Sequence, residues 1–429
     1  MTTTVVDEAP HVVVRPGFWT RERRTGAVLV VLGLLAAVVF GLLAHADASA
    51  KFVLSENAEG PSFSIPGRTG AIAFGLIVTV AGVLLLALST AKRWFGLLVG
   101  VAVVALVFSL LCSQISAASE GLQFMPVVNV TRQSIGYSVP LVFGALAGVL
   151  CERTGVINVA IEGQLLLGAF SAAMFATIAA SVWVGVIAGG AAGVAVGALL
   201  AFFAIRYRVD QVILGVILIV LCTGLTGFMF ERFMASDAET YNAPAQLPVW
   251  EIPVLGGIPV LGPILFRWNA LVYFVFIVGI LIHFGLFGTR WGLRTRSVGE
   301  HPTAADTVGI RVLGLRYWNV LVAGLIAGIG GSYLVLDAGF QFSKGMSAGK
   351  GFIALAAMIF GRWNPVGAML AALLFGFVEA LQTFLSAIGS PIPSQFLSMA
   401  PYLITIVAVA GLVGRVRAPA ADGKPYVKG

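Results

Sequence analysis

Twelve apolar runs dominate this chain, at 27–44, 70–89, 95–112, 137–151, 157–180, 182–205, 211–230, 270–288, 318–336, 351–361, 366–386 and 399–414, and none holds more than one Asp, Glu, Lys or Arg. A helix needs about 20 apolar residues to cross the hydrocarbon of a bilayer. In lipid every backbone polar group must find a partner within the protein, and the alternation expected of barrel strands is missing. The runs therefore predict an all-α polytopic membrane protein, a bundle of about 10–12 transmembrane helices. Composition agrees, with 59% hydrophobic and 10% charged residues over 429 positions, against about 45–50% and about 25% in soluble domains. A cytosolic enzyme, a disordered chain and a secreted disulfide scaffold are excluded. Cys112, Cys151 and Cys222 sit in or beside apolar runs without metal-ligand spacing, and read as small buried hydrophobes.

Lys and Arg accumulate in cytoplasmic loops. With the N-terminus inside and all twelve runs crossing, 19 of the 26 basic residues fall on the cytoplasmic side. Making 137–151 re-entrant would move the arginines of 290–316 outside, so both termini are expected in the cytoplasm. The same bias accounts for the net charge of +7. No basic patch interleaves with aromatics, so nucleic acid is not an expected partner. Run 351–361 is too short to cross alone and reads as a broken helix shielded by its neighbours. Run 27–44 ends in Ala44-His45-Ala46, which mimics a signal-peptidase site, yet its length and the spans after it make it a retained anchor. Loops 45–69 and 231–269, both outer, are rich in Pro, Gly and Glu and read as turns.

Chemistry that the chain lacks narrows its role. Gly345-Met-Ser-Ala-Gly349-Lys350-Gly351 looks like a phosphate-binding loop, but its glycines are one residue too close and Gly351 stands where a Mg²⁺-binding Ser or Thr belongs. Any nucleotide energy must come from another subunit, and no cofactor is expected in this chain. No His-Glu-x-x-His, Cys pair or Gly-x-Ser-x-Gly elbow offers a hydrolase a nucleophile or metal.

Gly185, Gly189, Gly193 and Gly197 recur every four positions, and Gly144/Gly148 and Gly324/Gly328 repeat the spacing. Small residues so spaced let helices approach closely; the face serves either static packing or sliding. Polar residues inside apolar runs are costly and mark sites. Asn158, Glu162 and Gln164 fall within two turns, Glu379 lies mid-run with Gln382 one turn on, and His283 is close to a cytoplasmic end. Each reads either as a hydrogen bond to a neighbouring helix or as part of a solute path. In the cytoplasmic stretch Arg296-Ser-Val-Gly299-Glu300-His301-Pro302-Thr-Ala304-Ala305-Asp306-Thr-Val-Gly309-Ile310, Pro302 suits a first helical position and Gly309 a stop. The result is a two-turn helix in a loop, which reads either as an ordinary connection or, through its small Ala304 and Ala305, as a low-profile surface for a partner's groove.

Three stretches carry a resemblance: 140–164, with Pro140, Glu152-Arg153, Gly155, Asn158 and Glu162-Gly163-Gln164; Gly299-Glu300-His-Pro302-Thr-Ala304-Ala305-Asp-Thr-Val-Gly309-Ile310; and 349–367, with Gly349-Lys-Gly351-Phe352, Gly361-Arg362-Trp363-Asn364-Pro365 and Gly367. Together they resemble the inner-membrane permeases of ATP-binding-cassette importers, in the family of simple-sugar, branched-chain amino-acid and nucleoside permeases, and most of all the nucleoside branch. The likeness covers roughly 136–414. It implies a multi-pass bacterial plasma-membrane subunit, not itself an enzyme, that imports nucleosides by alternating access. The alternatives are a sugar or amino-acid permease and, in another class, an ion-coupled secondary transporter. Implied partners are ATPase subunits carrying ATP and Mg²⁺, a second identical or homologous permease, an extracytoplasmic solute-binding lipoprotein, and membrane lipid. By that match Gly299, Glu300, Pro302, Ala304, Ala305 and Gly309 couple to the ATPase, and Asn158, Glu162, Gln164, Phe352, Asn364 and Glu379 line the solute path. The expected organisation is a cytoplasmic tail (1–26), a three-span region (27–135) that extends beyond many relatives, a permease domain (136–414) with coupling loop 289–317, and a cytoplasmic tail (415–429). A faint echo links Ala145-Leu-Ala-(x5)-Arg153 with Ala354-Leu-Ala-(x5)-Arg362, compatible with the internal repeats common in transporters.

Overall fold

The computed structural model describes residues 20–56, 60–87, 91–118, 124–390, 392–399, 402 and 417–428. Residues 1–19 of the expected N-terminal tail and nearly all of run 399–414 lie outside the described residues. In chain order the helices are α1 (Arg21–Leu43), α2 (Gly67–Ala87), α3 (Ala91–Ala117), α4 (Val127–Glu152), α5 (Ile161–Ile178), α6 (Val182–Ala201), α7 (Gln211–Met229), α8 (Ala238–Tyr241), α9 (Leu261–Leu265), α10 (Ala270–Gly288), α11 (Arg290–Glu300), α12 (Pro302–Thr307), α13 (Val312–Tyr333), α14 (Lys350–Phe360), α15 (Pro365–Ala387) and α16 (Ser394–Ser398). Short strands are β1 (Ser49–Val53), β2 (Ser62–Pro66), β3 (Phe124–Pro126), β4 (Val249–Glu251) and β5 (Arg267–Asn269). Among the described residues ten helices are long and apolar enough to span a bilayer: α1 to α7, α10, α13 and α15. Run 351–361 is the eleven-residue α14, too short for a span.

The chain divides into two compact units. The first, residues 1–51 and 64–124, holds α1, α2 and α3. Small residues bring α1 and α2 together: a Cβ on Gly26 would lie 2.7 Å from the Gly82 carbonyl oxygen, and one on Gly75 2.6 Å from the Ala37 nitrogen. The buried Ser109 hydroxyl of α3 donates to the Ala71 carbonyl of α2 at 2.7 Å, which satisfies that group within an apolar contact.

The second unit, residues 52–63 and 125–429, is built around α4 and α13. Of their apolar stretches 83% and 78% is buried, against 28% for α7, so these two form the core and α7 the rim. The glycine face of α6 meets α13 backbone to backbone: a Cβ on Gly193 would sit 2.1 Å from the Gly324 carbonyl oxygen. Strands β4 and β5 pair antiparallel, with Val249 opposite Asn269, Trp250 opposite Trp268 and Glu251 opposite Arg267.

The two echoing segments lie side by side. Gly144 faces Ala354 and Gly148 faces Met358, with added Cβ atoms 2.7 and 2.8 Å from those side chains; α4 and α14 therefore run parallel. Continued upward, this pairing sets Lys350 level with Pro140, near the middle of the 26-residue α4. The chain before α14 reaches that depth without helix. Such backbone is tolerated at membrane depth only when protein surrounds and satisfies it.

Candidate functional site

Glu162 stands in the first turn of α5 and supplies that satisfaction. Its Oε1 accepts from the Ser347 hydroxyl at 2.7 Å and the Gly349 N–H at 2.9 Å, and its Oε2 from the Gly351 N–H at 2.6 Å. These donors belong to the loop before α14 and its first turn, where helix N–H groups have no partner of their own and the helix dipole favours an anion. Gly349 adopts left-handed backbone at φ 81°. A Cβ on Gly351 would lie 2.4 Å from the Glu162 nitrogen, so glycine is what lets the acid approach. From the other side Lys350 forms an ion pair with Glu379 of α15, and its ammonium lies 5.8 Å from the centre of the Tyr137 ring on α4. The two glutamates thus converge on the start of α14, with Phe352 on the same turn and 48% exposed.

Asn158 and Gln164 flank this cluster, both fully buried. Asn158 Nδ2 donates to Gln164 Oε1 at 3.1 Å, while Asn158 Oδ1 and Gln164 Nε2 find no hydrogen-bond partner among the described residues. Asn364 is at the other end of α14. It caps α15, its Oδ1 accepting from the Val366 N–H at 3.0 Å and the Gly367 N–H at 3.4 Å. A half-helix with its N-terminus deep in the bundle, one bound acid and a neighbouring ion pair are the parts from which transporters build mid-membrane sites.

Loop 289–317 contains the second candidate region. Pro302 opens α12, where its missing N–H costs nothing. Gly309 ends the turn at φ 84°, and the Ile310 N–H donates to the Ala305 carbonyl at 3.1 Å. Ala305 is buried with Val298 and Val312, whereas Glu300, Ala304 and Gly309 are exposed and Pro302 is half-buried. Gly299 is pressed against α4's end, an added Cβ lying 2.3 Å from the Arg153 carbonyl oxygen. Arg153 Nε donates to the Trp363 carbonyl at 2.8 Å, so one arginine links this loop to the foot of α14. Burial lowers the Arg153 guanidinium from its usual value, and the nearby Glu300 carboxylate opposes the shift.

The C-terminal residues were expected only as a cytoplasmic tail. In the structure 417–428 lie along the same loop. The Ala421 N–H donates to the Gly299 carbonyl at 2.9 Å and the Ala420 N–H to Glu300 Oε2 at 3.2 Å. Tyr426 is buried with Val298, Ala305 and Val312. Arg316, 2% exposed, donates from Nη1 to the Lys424 carbonyl and from Nε to the Thr154 carbonyl, both at 3.0 Å. Asp422 faces the Glu152 carboxyl, and burial pushes it up to about 6 against the opposing pull of Glu152, the Gly423 N–H and Arg316. Sequence reasoning counted Arg316 as a topological charge and passed over Asp422 and Tyr426. The available signal was one acid and one tyrosine in an otherwise basic tail.

Residues 130–412 match the family described as branched-chain amino acid transport system / permease component. The chain is similar to the guanosine ABC transporter permease protein NupQ of Bacillus subtilis, 42% identical over 316 residues, covering 70% of this chain and 97% of that protein. It is 40% identical to the nucleoside ABC transporter permease protein NupC of Lactococcus lactis over 321 residues, 71% of this chain and 99% of that one. A putative glucose ABC transporter permease protein of Haloferax volcanii is 31% identical over 311 residues, 67% of this chain and 92% of that one. The same two bacteria each hold a second, more distant likeness, also named a guanosine or nucleoside permease, at 22% and 25% identity. No solved structure matches.

Proposed function

The chain belongs to the branched-chain amino acid transport system / permease component family, and on that premise we propose that it is the membrane-spanning permease subunit of an ABC importer for nucleosides. The observation that carries this reading is the likeness, over nearly their whole length, to two permeases named for guanosine and nucleosides. Two different permeases in each of those bacteria support pairing with a second, non-identical permease. Fuel comes from separate ATPase subunits, and an extracytoplasmic lipoprotein delivers the solute. The chain is the transport component, and the nucleotide sites belong to the ATPase subunits.

In this reading α12 is the docking element. Glu300, Ala304 and Gly309 present the surface, Pro302 and Ala305 hold the turn, and Gly299 passes displacement to Arg153. Arg153 grips Trp363 at the foot of α14, whose upper end is held by Glu162 and Glu379. Closure of the ATPases moves α12 and thereby biases the broken helix between outward- and inward-open arrangements, which requires that ATP bind the two with different affinity.

Uptake of labelled guanosine, uridine and glucose by cells expressing the complete transporter tests the reading. Saturable, ATP-dependent nucleoside uptake that vanishes with the ATPase subunit is expected. Uptake of glucose alone would favour the sugar branch, and transport by this chain alone on an ion gradient would overturn the importer.

A further inference from the structure

At the end of the second unit remote from α12 lies a cavity of about 340 Å³, between the first half of α4, the end of α13 and the β4–β5 pair. Its floor is Gly136, where an added Cβ would stand 3.4 Å from the Tyr333 hydroxyl and 3.7 Å from the Trp268 ring. Tyr137 and Trp268 give it aromatic walls. Trp268 is held from two directions: its indole N–H donates to the Ile264 carbonyl at 2.7 Å, and the Arg132 guanidinium lies 5.2 Å from its ring centre.

Asp337 also lines the cavity, on a π turn, Leu334–Gly339, that continues α13. Such turns change the direction of the side chains they carry and recur at functional sites. Asn269 Nδ2 donates to Asp337, and Tyr333 is close to the same carboxylate. Asn269 is itself fixed, because its Oδ1 caps α10 by accepting from the Leu271 N–H at 3.0 Å. A carboxylate offers about four acceptor positions. Asn269 fills one, which leaves capacity for two further O–H or N–H donors.

Resting on the nucleoside reading above, we propose that this cavity is the receiving site for the nucleoside, with Asp337 accepting the ribose 2′- and 3′-hydroxyls and the base lying against Tyr137. The volume is within the range of small-molecule pockets. One acid and one guanidinium line it, so the field favours a neutral polar solute over an ion. Aromatic faces bind any base by stacking, and a vicinal diol supplies two donors to one carboxylate. Tyr137 also connects the cavity to the interior, since its ring is the one that Lys350 approaches; a solute leaving Tyr137 next meets the Lys350–Glu379 pair.

The test uses cells expressing the complete transporter, with labelled uridine and 2′,3′-dideoxyuridine as probes. Asp337→Asn is expected to raise the KM for uridine about tenfold, as loss of charge-assisted hydrogen bonds does, and to change that for dideoxyuridine less than about twofold. Gly136→Ala favours the helix and meets its neighbours at ordinary contact distance, so the complex should co-purify in normal amount. By shrinking the floor it is expected to raise the KM for both probes, and it keeps the test open should Asp337→Asn fail to assemble. Unchanged KM in both variants, or an equal loss of both probes in Asp337→Asn, overturns the site while leaving nucleoside import standing. A wild-type transporter that takes up neither uridine nor guanosine overturns the functional reading itself.

Discussion

An acid among apolar spans is costly unless its charge is satisfied, and at Glu162 three donors do so. Hydrogen bonds to charged groups contribute about 1.5–3 kcal/mol each. Glu162→Gln replaces one accepting oxygen with an N–H that opposes either the Gly351 N–H or the Ser347–Gly349 donors. A loss of about 2–3 kcal/mol is expected, read as a lowered unfolding midpoint of the detergent-purified complex; an unshifted midpoint would show that the cap contributes little. The sequence marked Glu162 as a costly residue with either a structural or a solute-path role. Its partner Ser347 is 185 positions away, and no local pattern encodes such a pairing. Asn364 illustrates the reverse case: its capping of Val366 and Gly367 is local, and Asn-Pro before an apolar run carried that signal in the sequence.

At the scale of elements, the glycine spacing on α6 was legible but its facing helix was not. The structure places Gly324 and Gly328 of α13 against it, with Gly193 in backbone contact, which favours static packing. Gly193→Leu has nowhere to put its side chain and should destabilise by about 3 kcal/mol or more. Assembly yield measures it: normal yield would mean that α6 and α13 separate freely. The short α12 was readable from Pro302 and Gly309 because start and stop signals are local. Which of its faces is free was decided by packing, Ala305 inward and Ala304 outward. Ala304→Trp should therefore leave membrane insertion and ATPase turnover intact while reducing uptake at least about tenfold, an expected loss of roughly 1.4 kcal/mol of coupling. Normal uptake by this variant would remove α12 from the docking surface.

For the whole molecule, the C-terminal tail connects loop, α4 and α13 in one arrangement. Asp422, raised to about 6 by burial beside Glu152 and Arg316, binds its proton more tightly docked than free. Between the ordinary carboxylate range and that value the docked tail holds more protons than the undocked one, so docking weakens as pH rises. Exchange protection of the Ala421 amide, which donates to Gly299, should be greater near pH 5 than near pH 7.5 after correction for intrinsic rates. Asp422→Asn should abolish the difference; a pH-independent protection factor in the unaltered chain would refute the linkage.

The sequence by itself determined that this is a helical membrane protein, which runs are long enough to span, and where α12 starts and stops. Those properties follow from transfer of short stretches into hydrocarbon and from capping within a few residues, both local in the chain. Only the tertiary structure decided that α14 begins at the level of Pro140, that Glu162 holds it there, that the tail lies on the coupling loop, and that Asp337 meets Asn269 beside Gly136. Each of these joins groups scores of residues apart, and such contacts exist only once close-packed helices fix which polar groups have water and which must find one another.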